Sequence, residues 1–306
     1  MYKNYLKLLG DTPEFLKKYL DLDSLLRLKK ISYFCGMDYA SKDIYKFKEY
    51  ISRFDHSLDV ALITYRFTKD KKATLAGLFH DISTPCFSHV IDYMNKDYSK
   101  QESTEEYTEK VLRKDKKLLK LLKEDNIDIE EIVDFKKYPI VDNERPRLCA
   151  DRLDGVILPG INLTKNLNDY DIKKAIDNLY LFKNEDDVDE LGFTDLEIAK
   201  VILEESNNID KAFHSNYDNY MMELLAEITR YSINNNYISY EDLYIFDEEF
   251  LYNKLKSLND IHLERLIYKF ENINMNEITE ISLPNIKVKD LNPLVNGTRL
   301  KTIINK

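Results

Sequence analysis

Residues 73–92 read ATLAGLFHDISTPCFSHVID, and this stretch decides how the chain is interpreted. An apolar segment, which we predict to be a buried helix, ends on the adjacent pair His80 and Asp81. A turn that contains Pro85 separates this pair from His89 and Asp92. The chain has only five histidines, so two of them and two carboxylates between residues 80 and 92 form a notable concentration. An assigned function has to account for it.

Composition limits the classes of protein to which the chain can belong. Hydrophobic residues make up 43% and charged residues 33% of its 306 residues, as in ordinary globular proteins. No apolar run reaches the roughly 18 residues that a membrane helix needs, and the N-terminus lacks the pattern of a signal peptide. Three cysteines without CxxC spacing do not form a disulfide framework. We therefore expect a cytoplasmic protein without a membrane span.

The net charge indicates which partners the chain can bind. A charge of −10 argues against binding nucleic acid, because duplex-binding proteins carry a basic face. It does not exclude a small anionic substrate, since a few arginines inside a pocket can reverse the local potential.

Seven glycines and seven prolines in the whole chain favour long helices. We predict an all-α fold with a small β hairpin over residues 179–193 and an extended C-terminal tail over 281–295. The segment from Arg53 to Phe67 is predicted to be a helix that is buried on most of its circumference. A second buried helix is predicted from Arg147 to Leu158, with Pro159 and Gly160 at its end.

The residues offer a set of metal ligands. His56 lies in the helix that begins near Arg53, whereas His80 and Asp81 end a different buried helix. Imidazole and carboxylate ligands suit Mn, Fe, Ni, Co or Zn, and an ion would compensate the charge of a buried aspartate. Spacing alone leaves a second reading open, in which the histidines belong to the core and Asp81 caps a turn. Asp151 and Asp154 could likewise be ligands or solvated acids.

Four segments in this order resemble the HD superfamily of metal-dependent phosphohydrolases. They are RFDHSL at 53–58, GLFHD at 77–81, FSHVID at 87–92 and ADRLD at 150–154. Within the superfamily they are most similar to the branch that contains the dNTP triphosphohydrolases, including the SAM-and-HD-domain enzyme. The resemblance covers roughly residues 22–158 and implies an HD-domain helical bundle. It also implies a metal-binding core over residues 1–160, with residues 161–306 as a mostly helical elaboration packed on that core.

The resemblance also implies roles for individual residues. It implies a divalent transition metal (Mn, Fe, Ni, Co or Zn, with Mg possible), and the implied metal ligands are His56, His80, Asp81 and Asp151. Arg53 and Arg152 fall where the family contacts a phosphate. Relatives in this branch often form homo-oligomers, although no residue pattern in this chain specifies an interface.

The chain also departs from the triphosphohydrolase pattern. Thr84 and Gln101 stand where that branch has histidines, Gly155 replaces a tyrosine that reads the sugar, and Pro159 replaces an arginine. Neither threonine nor glutamine transfers a proton near neutral pH.

The remaining candidate for a general acid is His89, which Asp92 could orient, although a capping or core histidine would show the same pattern. Glu102 is a weaker candidate for holding a water or a metal-bound ligand. We therefore expect a metal-dependent phosphohydrolase that uses a metal-activated water on a nucleotide or a related small phosphorylated metabolite. The alternative is a metal-stabilised interaction or regulatory module with weakened catalysis.

Overall fold

The N-terminal half of the chain is helical. The computed structural model describes residues 1–99, 103–104, 107–283, 288 and 290–305. Its α-helices up to residue 162 are Tyr2–Leu9 (α1), Glu14–Lys17 (α2), Asp23–Leu26 (α3), Arg53–Thr68 (α4), Lys71–Phe79 (α5), Val90–Asn95 (α6), Thr108–Lys114 (α7), Lys116–Glu124 (α8), Glu130–Val133 (α9) and Ala150–Asn162 (α10).

Helix α4 runs through the middle of this half. Ser52 and Asp55 form a capping box at its start, in which each side chain satisfies a backbone N–H of the other residue. The helix contacts α1, α5 and α10, and residues such as Val60 and Ala61 are fully buried. The predicted buried helix is thus confirmed. Because its neighbours surround it, any polar side chain on α4 has to find a partner inside the protein.

Helix α10 ends later than predicted. Pro159 lies inside the helix, which continues to Asn162, so the predicted end at Pro159 and Gly160 is wrong. Proline removes one backbone hydrogen bond, and the packing of the buried segment around it maintains the helix. The predicted division of the chain between residues 160 and 161 falls within this helix and stays a prediction.

The C-terminal half continues the helical architecture. Its α-helices are Asp169–Asp177 (α11), Leu196–Phe213 (α12), Asn216–Asn234 (α13), Asp242–Ile245 (α14), Glu248–Lys256 (α15), Ile261–Asn272 (α16) and Leu300–Ile304 (α17). Helix α13 packs on α6, and α12 packs on α10, so both halves share one buried core. Among the described residues, no helix has the length and apolar character that crossing a membrane requires.

The sheet is larger than the predicted hairpin. The hairpin is present as Leu179–Lys183 (β1) and Asp189–Phe193 (β2), which pair antiparallel. The tail adds Leu294–Val295 (β3), which runs parallel to β2, and Thr298–Arg299 (β4), which runs antiparallel to β3. The fold is therefore mostly α, as predicted, and the predicted hairpin is part of a larger four-stranded sheet in the order β1-β2-β3-β4, because the C-terminal tail contributes two strands to it.

Two features of the tail explain why it joins the sheet. Asn296 and Gly297 both have positive φ, as a two-residue hairpin turn between β3 and β4 requires. The guanidinium of Arg299 donates to both carboxylate oxygens of Glu190, a fully buried residue of β2. A buried carboxylate needs such a partner, and only the tail supplies this cation.

The turn that follows the quoted stretch is held by the C-terminal half. Phe87 and Ser88 have positive φ, which is an uncommon conformation for residues with side chains. The backbone N–H of Phe87 donates to the carboxyl of Glu248, at 2.8 Å, and Arg27 donates to the carbonyl oxygens of Thr84, Leu243 and Phe246. Because this turn precedes His89, residues far along the chain fix part of the cavity wall.

Burial of Glu248 predicts a pH dependence of stability. Burial raises the pKa of Glu248 from an ordinary value of 4.5 to about 8. Hydrogen bonds from backbone N–H groups lower this pKa, but burial outweighs them. Its contribution to stability is therefore complete below about pH 4.5 and is lost as the pH rises through about 8. Between pH 5 and pH 8, the free energy of unfolding should fall more steeply for the unmodified protein than for the Glu248→Gln variant. The difference between the two slopes should be roughly 1 kcal/mol per pH unit. Urea unfolding at three pH values measures this difference, and the exposed neighbour provides the control variant Glu249→Gln. Equal slopes for Glu248→Gln and the unmodified protein would contradict the prediction.

Candidate metal centre

Three helix ends bring the predicted ligands together. His56 lies in the first turns of α4, His80 caps the C-terminal end of α5, and Asp151 lies in the first turn of α10. The Nε2 atom of His56 is 3.3 Å from Nε2 of His80 and 3.1 Å from Oδ1 of Asp151. The carboxylate of Asp81 borders this group, with its oxygens 3.8 Å and 3.9 Å from the two Nε2 atoms.

Hydrogen bonds on the far side of each ring fix which nitrogen faces the centre. The Nδ1 of His80 donates to the carbonyl oxygen of Gly77 at 2.7 Å. The Nδ1 of His56 lies 2.6 Å from one carboxylate oxygen of Asp154. The other oxygen of Asp154 accepts a hydrogen bond from the hydroxyl of Tyr5 at 2.7 Å. Both rings therefore turn Nε2, the atom that would bind a metal, towards the carboxylates of Asp81 and Asp151.

The spacing of these atoms suits a divalent ion. Ligand atoms about 2.1 Å from one ion lie about 3.0 Å apart at octahedral angles and about 3.4 Å apart at tetrahedral angles. The separations among His56, His80 and Asp151 are 3.1, 3.3 and 3.8 Å. All three ligand atoms lie within 4.8 Å of one another, so these residues could hold a metal ion.

Charge in the centre also favours a cation. Burial would lower the pKa of His56, but hydrogen bonds to Asp151 and Asp154 outweigh it and raise this pKa to about 10. Burial would raise the pKa of Asp81, but the positive charges around it, including that of Arg53, lower it to about 2. The half-buried carboxylates of Asp81 and Asp151 thus attract either a proton on His56 or a metal ion in its place.

A neighbouring group of donors is less suitable. Asp142, Cys149 and Asp151 also converge closely enough to hold an ion. However, Asp142 already forms an ion pair with Arg152 at 2.9 Å, and burial raises the pKa of the Cys149 thiol beyond the neutral range. The group that contains the two histidines is therefore the better candidate to hold a metal ion.

The two predicted phosphate-binding arginines lie in different environments. Arg53 is buried, donates to Asp81 at 3.0 Å and to the hydroxyl of Ser88 at 3.2 Å, and borders the ligand group directly. Arg152 is also buried, but its guanidinium bonds to Asp142, to Asn143 and to the carbonyl oxygen of Arg147. Arg53 is therefore the better placed of the two to contact a substrate, whereas Arg152 secures the loop before α10.

The predicted acid pair is assembled. The Nδ1 of His89 lies 2.9 Å from a carboxylate oxygen of Asp92, whose other oxygen accepts from the backbone N–H of Ser103 at 3.1 Å. Asp92 is fully buried and His89 lines the cavity at the metal centre. Thr84, by contrast, is buried away from the cavity. Glu102 and Gln101 lie outside the described residues, so the candidate role of Glu102 stays a prediction.

A cavity of about 950 Å³ opens from the ligand group. The aromatic residues Tyr33, Phe34, Tyr45 and Phe47 form one wall, with Phe34 and Phe47 stacked at 4.4 Å between ring centroids. Helices α12 and α13 and the turn between them contribute the opposite wall. The residues that line it are Ser206, Ile209, Phe213, His214, Asp218 and Met222. Sequence reasoning missed this wall because no motif marks it.

Comparisons with known proteins agree with the position of the centre. The model of the HD domain family matches residues 53–156. The chain is 24% identical over 205 residues to the uncharacterized protein YdhJ of Bacillus subtilis, which covers 66% of this chain and 60% of that protein. It is 26% identical over 167 residues to the metal-dependent phosphohydrolase cns2 of Cordyceps militaris, which covers 54% of this chain and 48% of that protein. The chain thus spans roughly half to three-fifths of these relatives.

The hydrogen bond between Asp154 and His56 should set the metal affinity. Replacing the carboxylate in Asp154→Asn weakens the bond that orients His56, so we expect affinity for Mn²⁺ and Ni²⁺ to fall about 10–100-fold. Titration calorimetry against a competing chelator measures this change, with thermal unfolding to confirm that the variant is folded. Asp59 provides the matched control, because it is a buried aspartate that accepts from Tyr2 and, among the described residues, forms no hydrogen bond with His56. If Asp59→Asn and Asp154→Asn reduce the affinity equally, the proposed orienting role is wrong.

Proposed function

Residues 53–156 form an HD domain, and we propose on this basis that the protein is a metal-dependent phosphohydrolase. Its substrate is a phosphate ester of a small metabolite, such as a nucleotide or a related compound. The observation that carries the proposal is the convergence of His56, His80, Asp81 and Asp151 beside Arg53, at one end of a large cavity.

The residues around the ligand group suit an anionic substrate. Arg53 faces the group from α4, where its guanidinium pairs with Asp81 at 3.0 Å. On the cavity rim, Arg145 donates to a backbone carbonyl and has no carboxylate within ion-pairing distance among the described residues. These two cations would attract a phosphoryl group towards the centre and stabilise charge on it, although the protein as a whole is acidic.

His56, His80, Asp81 and Asp151 would hold a divalent ion, which would supply Lewis-acid chemistry by making water more acidic and polarising a phosphoryl oxygen. The protein's own groups then complete the reaction. Water attacks phosphorus and gives up one proton to solvent, while the bond between phosphorus and the ester oxygen breaks. The imidazolium form of His89 would donate its Nε2 proton to the ester oxygen, which leaves as an alcohol, and the solvent would then reprotonate His89. Asp92, with a carboxylate oxygen 2.9 Å from Nδ1 of His89, would keep that nitrogen protonated and orient the ring.

The proposal is tested by hydrolysis with purified, metal-loaded protein. We expect release of phosphate or p-nitrophenol from p-nitrophenyl phosphate, bis-p-nitrophenyl phosphate or members of a nucleotide panel with Mn²⁺, Co²⁺ or Ni²⁺. The variants His80→Ala and Asp151→Asn should lose both bound metal and at least about 100-fold in kcat, because each removes a ligand. A folded protein that binds the metal and hydrolyses none of these esters would instead be a metal-stabilised binding module.

The role of His89 is tested by comparing leaving groups. An alkoxide needs a proton as it leaves, whereas p-nitrophenolate does not. His89→Gln should therefore lower kcat on an alkyl phosphate about 100-fold and on p-nitrophenyl phosphate only a few-fold, with unchanged metal content. His262, which lies in α16 outside the cavity wall, provides the control variant His262→Gln. Equal losses on both substrates would exclude a general-acid role.

A further inference from the structure

Glycines inside helices point to a feature that the fold does not explain. Glycine is unfavourable in the middle of a helix, so it usually has a local reason. At Gly160, an added Cβ would lie 2.6 Å from the side chain of Leu167. At Gly77, it would lie 3.4 Å from Thr64 and from Val60, where α5 packs on α4. Close packing accounts for both of these glycines.

Gly155 has no such reason. A Cβ at this position would meet a single neighbour, the hydroxyl oxygen of Tyr33, at an ordinary contact distance of 3.7 Å. Its φ is not in the left-handed region, and Pro159 acts on the backbone carbonyl of Gly155, four residues before it, and not on a side chain at that position. Gly155 lies one turn after Asp151 and lines the cavity. Its effect is to leave open space beside the metal centre.

Tyr33 faces this space with a fixed ring and a free hydroxyl. Its ring lies 5.1 Å from the ring of His56 and 5.2 Å from that of Phe34, between centroids, and the guanidinium of Arg53 lies 4.9 Å above it. These contacts hold the ring on three sides. The hydroxyl makes no hydrogen bond to any residue that the structure describes, although Tyr33 lines the cavity.

We propose that the hydroxyl of Tyr33 and the space over Gly155 form a subsite for the alcohol part of the substrate. The subsite binds an oxygen, either a hydroxyl or an ether, carried close to the ester bond. This inference rests on the proposed phosphohydrolase function and adds the chemical class of the leaving group. Tyr33 is then a residue that determines specificity, because it contacts the part of the substrate that differs between phosphate esters.

The chemistry of the subsite follows from its position. A phenol is protonated at neutral pH and donates one hydrogen bond while it accepts others. A leaving group that carries an oxygen would form a hydrogen bond with the Tyr33 hydroxyl. A purely alkyl group would displace water from this hydroxyl without replacing the hydrogen bond. Because Arg53 contacts both the Tyr33 ring and Asp81, the subsite lies next to the expected position of the phosphoryl group.

A matched pair of substrates tests the hydrogen bond. Glycerol 3-phosphate and n-propyl phosphate both have alkoxide leaving groups, but only the first carries hydroxyl groups beside the ester. The unmodified protein should prefer glycerol 3-phosphate in kcat/KM. Tyr33→Phe should lower kcat/KM about tenfold on glycerol 3-phosphate and less than about twofold on n-propyl phosphate, with unchanged metal content. Tyr180→Phe, an exposed position on β1, is the control and should change neither.

Gly155→Ala tests the open space with a second readout. We expect this variant to raise Tm by about 1–3 °C, because alanine favours the helix and fits sterically, and to raise KM for glycerol 3-phosphate several-fold. Gly160→Ala should instead lower Tm, since its Cβ would clash with Leu167. A lowered Tm or an unchanged KM in Gly155→Ala would overturn the assignment of Gly155.

The outcomes separate this inference from the proposed function. Unmodified protein that hydrolyses neither substrate nor p-nitrophenyl phosphate, with metal bound, would refute the phosphohydrolase function itself. Two results would refute the subsite and leave the proposed function intact. One is equal kcat/KM of the unmodified protein on both substrates, and the other is an equal fall in kcat/KM on both substrates in Tyr33→Phe.

Discussion

The hydrogen bond between Asp154 and His56 is the constraint on which the rest of the centre depends. Asp154 is fully buried, and its two oxygens are satisfied by Tyr5 from α1 and by His56 from α4. It therefore connects three helices, since it lies on α10. The same bond directs Nε2 of His56 at the carboxylates of Asp81 and Asp151. Asp154 thus determines which nitrogen of His56, a proposed metal ligand, faces the centre.

Burial of so many charges in one place has a structural consequence. The carboxylates of Asp81 and Asp151 stay ionised because the pKa of each is lowered by the positive charges around it, and Arg53 pairs with Asp81 at the edge of the ligand group. Ionised carboxylates in a low-dielectric interior favour a bound cation. The C-terminal half supplies none of the proposed ligands, yet it closes the cavity through α12 and α13 and holds the turn before His89 through Glu248. Chemistry and enclosure thus come from different parts of the chain.

The parts of the site that sequence could reveal are those encoded locally. His80 and Asp81 are adjacent, and His56 lies on a helix whose burial is readable from its apolar residues, so these side chains could be named from the sequence as candidate ligands. The aromatic wall could not, because contacts such as the stacking of Phe34 on Phe47 arise only through tertiary packing. The sheet was underestimated for a related reason: Asn296 and Gly297 carry a clear turn signal, but the pairing of Arg299 with Glu190 is a contact across 109 residues. Arg152 fits a phosphate-binding pattern, and only the structure shows that Asp142 and Asn143 already engage it.

The structure shows the surroundings of Thr84 and Gly155, two positions at which the chain differs from the triphosphohydrolase pattern. At Thr84 the side chain is buried away from the cavity, and the backbone carbonyl accepts from Arg27, so this position now serves the turn. At Gly155 the helix contributes no side chain, and the nearest group to the vacated position is the hydroxyl of Tyr33. Tyr33 belongs to a segment that pairs with the residues just before α4, through its N–H to Ile51 and the bridge between Ser32 and Ser52. Its ring is therefore fixed relative to Arg53 and His56, beside the space over Gly155.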